Sequence, residues 1–299
     1  MKKTKKLLSL IVVFVLLISV SVVSFSADTI YIVNGYSYSV VNNTSISLVD
    51  WDHEQPNLSV PDMLANRYFI SVANWAFEND TDLKSVDLSQ AEHLNRIGMY
   101  AFSGCTEIEG DMIIPQSVTR IGEHAFDNCN KLETLEYNGS ADVPEYCFYN
   151  CSSLKSVSIA EGAKSISYFA FANCSNLEYA EIPQSVTSIA ASAFRNDSNL
   201  TLGVWYGTTG YDYAIVQNIP YVLLDGIKLG DTTGDGIVNI NDVTTIQRYL
   251  AELEPLEGIY LHAADANQDG TVDIADATII QMYLAEYEME YPIGKVMTQ

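Results

Sequence analysis

The chain has 299 residues, 48% of them hydrophobic and 11% aromatic, which suffices for about two packed domains and excludes wholesale disorder. Thirty-eight acidic against 15 basic residues give a formal charge of −23, the wrong sign for a nucleic-acid binder. Five cysteines are an odd number and too few for a disulfide-stapled miniprotein.

Lys2, Lys3, Lys5 and Lys6 precede an apolar run from Leu7 to Val23, and small residues follow at Ser24, Ser26 and Ala27. This order is that of a secretory signal peptide over residues 1–27, favoured over an uncleaved anchor because the small residues come at once. An exported, extracellular chain with no later membrane span is expected.

From about residue 67 a repeat begins. Phe77, Phe102, Phe126, Phe148, Phe171 and Phe194 are spaced 25, 24, 22, 23 and 23 residues apart. Three residues after each stand Asp80, Cys105, Cys129, Cys151, Cys174 and Asp197, and three further on Leu83, Ile108, Leu132, Leu154, Leu177 and Leu200. A unit near 23 residues cannot bury its own apolar face, so neighbours must stack into a solenoid with one short strand per coil, forming a parallel sheet.

Ile114-Pro-Gln-Ser-Val-Thr-Arg-Ile-Gly122 with Ala125-Phe126 and Asn128-Cys129, and Ile182-Pro-Gln-Ser-Val-Thr-Ser-Ile189 with Ala193-Phe194, resemble the BspA-like (Treponema pallidum-type) leucine-rich repeat. The resemblance implies a leucine-rich-repeat solenoid over 67–224. Residues 28–66, with Tyr36-Ser-Tyr-Ser-Val40 and Ser45-Ile-Ser-Leu48, resemble its N-terminal β-hairpin cap, and Tyr211 to Leu224 its closing helix and strand.

The line of cysteines is read as buried free thiols filling a small interior slot; an occasional disulfide or a metal site are the alternatives. Exposed strand positions form a row of Asp87, Ile113, Glu136, Ser158 and Glu181, with Ser85, Thr134, Ser156 and Tyr179 beside it. This row is either a solvated face or a contact surface for a protein or glycan, on which Tyr179 and Tyr137 would be the aromatic anchors.

Beyond Asp225-Gly226 a different pattern begins. Residues 231–252 and 265–286 share 13 of 22 positions, a tandem duplication. Each copy carries oxygen donors at loop positions 1, 5, 9 and 12 and glycine at 6, the arrangement that wraps a chain around a hard cation. Two Ca2+ ions are expected. Asp231, Asp235, Asn239 and Asp242, with the Ile237 carbonyl and the Thr233 hydroxyl, are the first set; Asp265, Asn267, Asp269, Asp273 and Asp276, with the Thr271 carbonyl, are the second. Thr233 at position 3, and three carboxylates against four, predict weaker binding in the first loop.

Each loop runs into a helix, where Val243, Ile246 and Leu250, and Ala277, Ile280 and Leu284, recur at helical spacing as the expected packing face. Lys228-Leu-Gly230 is too short for a helix entering the first loop, and position 12 is Asp rather than Glu. The duplicated half-EF-hand resembles a type I dockerin, a small all-α domain, here 225–299 with a core at 230–291. That resemblance implies a cohesin module on a scaffoldin as partner, contacted through Ile240, Asn241, Gln247 and Arg248 in one copy and Ile274, Ala275, Gln281 and Met282 in the other. Asn241 against Ala275, and Arg248 against Met282, break the two-fold symmetry and predict one favoured face.

His53, His93, His124 and His262 stand in no paired-ligand spacing, and neither serine-nucleophile nor phosphate-loop motifs occur. No catalytic residue is assigned. The expectation is a secreted, non-enzymatic binding protein attached to a cellulosome-like scaffold for plant-polysaccharide degradation. A carbohydrate-active accessory enzyme with a groove site, and a surface adhesin, are the alternatives.

Overall fold

The computed structural model describes residues 29–51, 56–288 and 290–297. The expected leader over 1–27, and His53, lie outside the described residues. Among those described, no helix is long and apolar enough to cross a membrane.

The chain opens as an antiparallel meander of β1 (Ile30–Val33), β2 (Tyr36–Asn42) and β3 (Ser45–Trp51). Alternating small and large residues put Tyr38, Ile46 and Leu48 inside. β4 (Asn57–Ser59), β5 (Met63–Leu64) and β6 (Arg67–Val72) follow. β3 pairs with β6 in parallel, Ile46 opposite Phe69 and Leu48 opposite Val72. The meander thereby covers the first coil, whose bare sheet edge would otherwise invite pairing with another chain.

The coils supply β7 (Ser85–Asp87), β8 (Arg96–Ile97), β9 (Glu109–Ile114), β10 (Arg120–Ile121), β11 (Lys131–Tyr137), β12 (Ser156–Ile159), β13 (Ser165–Ile166), β14 (Tyr179–Glu181), β15 (Ser188–Ile189) and β16 (Thr201–Val204). Helix α1 (Thr209–Gln217) and β17 (Tyr221–Leu223) close the stack. β9, β11, β12, β14, β16 and β17 form one six-stranded parallel sheet, and β4 pairs with β7 ahead of it.

Each coil was expected to give one strand, yet most give two. The two-residue strands β8, β10, β13 and β15 make a second line of parallel pairing along another edge. They centre on Ile97, Ile121, Ile166 and Ile189, which face the core from the side opposite the main sheet. Two residues are too few to show a strand's alternation.

Between the two edges the six phenylalanines stack face to face, with centroids 5.1, 5.2, 5.1, 5.4 and 5.2 Å apart. Tyr213 of α1 takes the next place, 6.1 Å from Phe194. The backbone turns a corner with positive φ on either side of the first five phenylalanines and after Phe194. Two residues before it stand Trp75, Tyr100, His124, Tyr146 and Phe169, with φ of 54–58°. Two residues after it stand Asn79, Gly104, Asn128, Asn150, Asn173 and Asn196.

Left-handed backbone is costly for bulky residues and cheaper for Gly and Asn. The coils hold it in place with hydrogen bonds to the next coil: Tyr100 N–H donates to the Glu123 carbonyl at 3.0 Å, His124 to Glu145 at 3.1 Å and Tyr146 to Tyr168 at 3.1 Å. Asn128 and Asn150 likewise donate to the carbonyls of Tyr149 and Ala172. The strain persists because stacking over-determines it.

After β17 come α2 (Ile240–Leu250), α3 (Gly258–Ala264) and α4 (Ile274–Leu284). α2 packs on α4 through Val243, Ile246, Ala277 and Ile280, all buried. Leu250 and Leu284, expected in that seam, are instead 39% and 37% exposed. They sit at the last turns, where the helices no longer cover each other. A clasp outside 230–291 ties the chain ends of this region: Lys228 pairs with Val296, Gly294 N–H reaches the Leu229 carbonyl, and Ile293 and Met297 are buried.

Candidate functional site

Both acidic loops are built by the helix that follows them. Asn239 and Asp273 are the N-caps of α2 and α4, and Asp242 and Asp276 stand at their third helical positions, completing reciprocal capping boxes. Asp242 Oδ2 accepts from Asn239 N–H at 2.7 Å, and Asp276 Oδ2 from Asp273 N–H at 2.8 Å. Loop positions 9 and 12 are therefore tied to each other by helix capping.

Position 1 is oriented by the glycine corner. Asp231 accepts from Gly234 N–H and Gly236 N–H, both at 2.9 Å, and Asp265 accepts from Asp269 N–H at 3.0 Å and Gly270 N–H at 2.8 Å. Gly236 and Gly270 carry φ of 82° and 90°, a conformation that suits glycine at position 6. Asp235 and Asp269 close Asx turns onto Ile237 and Thr271 N–H, each by its Oδ1. Hydrogen bonds from Thr271 and Asn267 hold Asp269 below the usual carboxylate range.

The two loops differ at position 3. The Thr233 hydroxyl donates to Asp242 Oδ1 at 3.0 Å and stands 3.5 Å from Asp231 Oδ1, so it lies between the first and last donors. Asn267 instead accepts from Asp269 N–H and donates to Asp269 Oδ2. Entry to the loops also differs. Helix α3 ends at Ala264 and feeds straight into Asp265, giving the second loop the incoming helix that the half-EF-hand reading did not foresee, whereas the first loop has none. Lys228 Nζ donates to the Gly236 carbonyl at 2.8 Å; its single residue gave no sequence signal.

Asp231, Asp242, Asp265 and Asp276 are buried, and none pairs with a Lys, Arg or His among the described residues. Burial, reinforced by the Asp265 charge, pushes Asp276 above the ordinary carboxylate range. Buried carboxylates without a counter-charge are unfavourable unless a cation joins them, and an all-oxygen donor set is the one that suits calcium. The residues fit that ion, although no group of three acidic, His or Cys side chains among those described closes to metal-holding geometry.

The residues expected at the cohesin contact lie on the outer side of α2 and α4. Ile240 and Ile274 occupy equivalent first positions and are 59% and 62% exposed, with Asn241, Gln247, Ala275, Gln281 and Met282 also exposed. Arg248 pairs with Glu254.

On the solenoid, strand register aligns Ile113, Glu136, Ser158 and Glu181 as one row and Asp111, Thr134, Ser156 and Tyr179 as the next; Asp87 lies on β7, ahead of the six-stranded sheet. Tyr137 does not belong to this surface. It is fully buried, and its hydroxyl donates to the Asp142 carbonyl at 3.2 Å, because it is the inward residue after Glu136. Tyr179 is half-buried, its ring lying over Gly203, where a Cβ would meet the phenolic oxygen at 2.1 Å. All five cysteines are buried and free.

The architecture is that of a leucine-rich-repeat solenoid joined to a duplicated acidic-loop module. Residues 70–201 match the BspA type leucine rich repeat region in six copies, and residues 229–285 match the dockerin type I domain. The chain is a BspA-type leucine-rich-repeat protein with a C-terminal type I dockerin domain. The T. pallidum leucine rich repeat protein is similar at 24% identity, over 57% of this chain and 80% of that one, with a TM-score of 0.52. A leucine rich cell surface protein from Faecalibacterium prausnitzii A2-165 matches at 20% identity over 59% of this chain, TM-score 0.44. A leucine-rich repeat protein from Eubacterium ventriosum ATCC 27560 matches at 22% over 56%, TM-score 0.45. The chain spans 55% and 45% of the lengths of these last two. No curated protein matches it.

Proposed function

We propose that this is a secreted, non-catalytic binding protein. Its solenoid recognises a protein or glycan, and its C-terminal module plugs into a cohesin of a scaffoldin in a cellulosome-like complex for plant-polysaccharide degradation. Two calcium ions order the plug, one held by Asp231, Thr233, Asp235, Asn239, Asp242 and the Ile237 carbonyl, the other by Asp265, Asn267, Asp269, Asp273, Asp276 and the Thr271 carbonyl. Bound calcium supplies the charge that lets these carboxylates share one loop.

The observation that carries the reading is the coupling of loop to helix. Asp242 and Asp276 both close the loops and cap the helices that present Ile240 and Ile274 outward, so ion binding and presentation of the contact face are one event. The solenoid face of Asp87, Ile113, Glu136, Ser158, Tyr179 and Glu181 is left free for its own ligand.

The test is capture of cohesin modules from a cellulolytic bacterium's secretome by the full chain and by a dockerin-deleted version, with calcium and with EDTA. Calcium-dependent capture by the full chain alone is expected; calcium-independent capture, or none from any cohesin-bearing secretome, overturns the reading.

A further inference from the structure

The corner residues Trp75, Tyr100, His124, Tyr146 and Phe169 form a second, surface ladder of rings, with centroids 6.4, 4.5, 4.7 and 5.1 Å apart. Within it each ring covers the face of the next. Phe169 ends it: one face lies on Tyr146 and the other meets no ring among the described residues. The following coil has Ser192 at the equivalent sequence position, outside the left-handed region that the ring-bearing corners adopt, and the Ser192 hydroxyl is buried with no hydrogen-bond partner.

A cavity of about 150 Å³ opens at this end, lined by Phe169, Tyr149, Ala172, Asn173, Arg195 and Asn196. Arg195 and Asn196 also border a neighbouring cavity of about 320 Å³ that runs toward α1. The Arg195 guanidinium is exposed and makes no ion pair or hydrogen bond among the described residues, although the chain carries a charge of −23. Asn196 Nδ2 donates to Asn173 Oδ1 at 2.7 Å, which leaves Asn173 Nδ2 free as a donor and Asn196 Oδ1 free as an acceptor.

We propose that this cavity binds a carboxylated sugar ring, seated against Phe169 with its carboxylate held by Arg195. The inference rests on the recognition role proposed above for the solenoid and assigns it a site at the corner rather than on the sheet. Each part of the ligand answers a group on the page. A six-membered ring offers the Phe169 side of the cavity an apolar face to lie on. A planar guanidinium pairs a carboxylate through two parallel hydrogen bonds. Ring hydroxyls satisfy the free amide groups of Asn173 and Asn196, which an all-carbon ring would leave unpaired.

The test uses the full chain with calcium and follows tri-galacturonic acid by titration calorimetry, beside the neutral galactose trimer and a peptide ending in phenylalanine carboxylate. The acid trimer is expected to bind, and the neutral trimer at least about tenfold more weakly, since the charge-assisted pair is lost. Arg195→Gln should give a similar loss with the thermal midpoint unchanged, because the side chain is exposed. Equal binding of both trimers, tighter binding of the peptide, no binding at all, or an undiminished Arg195→Gln each overturns the site. Calcium-dependent cohesin capture, measured on the same variant, is expected to stay intact, so failure of the sugar site and failure of the docking reading are seen separately.

Discussion

Asp197 fills, one coil later, the interior slot that Cys174 fills, and neither of its carboxylate oxygens has a hydrogen-bond partner. The four thiols of this line each donate to a phenylalanine carbonyl of the preceding coil: Cys105 to Phe77 at 3.0 Å, Cys129 to Phe102 at 3.4 Å, Cys151 to Phe126 and Cys174 to Phe148 at 3.3 Å. By the same register the counterpart acceptor for Asp197 is the Phe171 carbonyl, and only a protonated carboxyl can donate to a carbonyl. Cys174 and the Tyr213 phenol are the titratable groups beside it, and neither is a cation.

Burial pushes Asp197 to about 8. Its folded value lies above the unfolded one, so between about pH 4 and pH 8 the native state holds a proton that the unfolded chain has released. Stability from this group is thus full at low pH and falls as pH rises, by on the order of 1 kcal/mol per unit until the folded carboxyl ionises. Asp197→Cys restores the thiol line and should remove that slope. Urea midpoints of the two proteins at pH 5, 6, 7 and 8 should converge at the acid end and diverge toward pH 8, the variant being more stable.

The same line sets a prediction for chemistry. Burial pushes Cys105 up to about 12 and raises Cys129, Cys147 and Cys174 well above the ordinary thiol range. The reactive species is the thiolate. All five cysteines are buried, so Ellman titration of the native chain at pH 8 should find fewer than one reactive thiol, and after denaturation all five; rapid labelling of the native protein would show that the slot is open.

The features legible in the sequence are those set by packing period. The phenylalanine, thiol and leucine lines repeat because each coil must offer the next the same interior volume, and the loops repeat because a cation needs oxygens at fixed steps. The corner ladder was equally periodic, an aromatic residue or His two before each of the first five phenylalanines, but Trp75, Tyr100, His124, Tyr146 and Phe169 share no single residue type. Tyr137 was misplaced because alternation gives its face only once the last inward position of β11 is known, and helix α3 escaped notice because seven residues offer barely two turns of periodicity.

The calcium loops should fill in order. Thr233 offers a neutral hydroxyl where the second loop offers Asn267, and the first loop has one carboxylate fewer; affinity rises with ligand charge. Calorimetry of the full chain should resolve two events with the first loop about tenfold weaker. Asp276→Ala removes the closing ligand and the N3 cap partner of α4 together, so it should abolish the tighter event and lower the helical signal, whereas Asp242→Ala should remove the weaker one. Loss of the tight event in Asp242→Ala would reverse the assignment.

Helices α2 and α4 are related by the duplication, but the surfaces they expose are not equivalent. α4 presents Ile274, Met282, Tyr283 and Leu284, between 37% and 62% exposed. α2 presents Ile240 and Leu250 with Arg248, whose guanidinium is already paired with Glu254. Contact energy concentrates on side chains that become fully desolvated, while an exposed ion pair contributes at most about 1 kcal/mol. The α4 face is therefore the better plug. Met282→Ala should weaken calcium-dependent cohesin binding by about tenfold, and Arg248→Ala by less than about threefold. Surface plasmon resonance on an immobilised cohesin reads both, and equal losses from the two substitutions would mean that the module docks in either orientation.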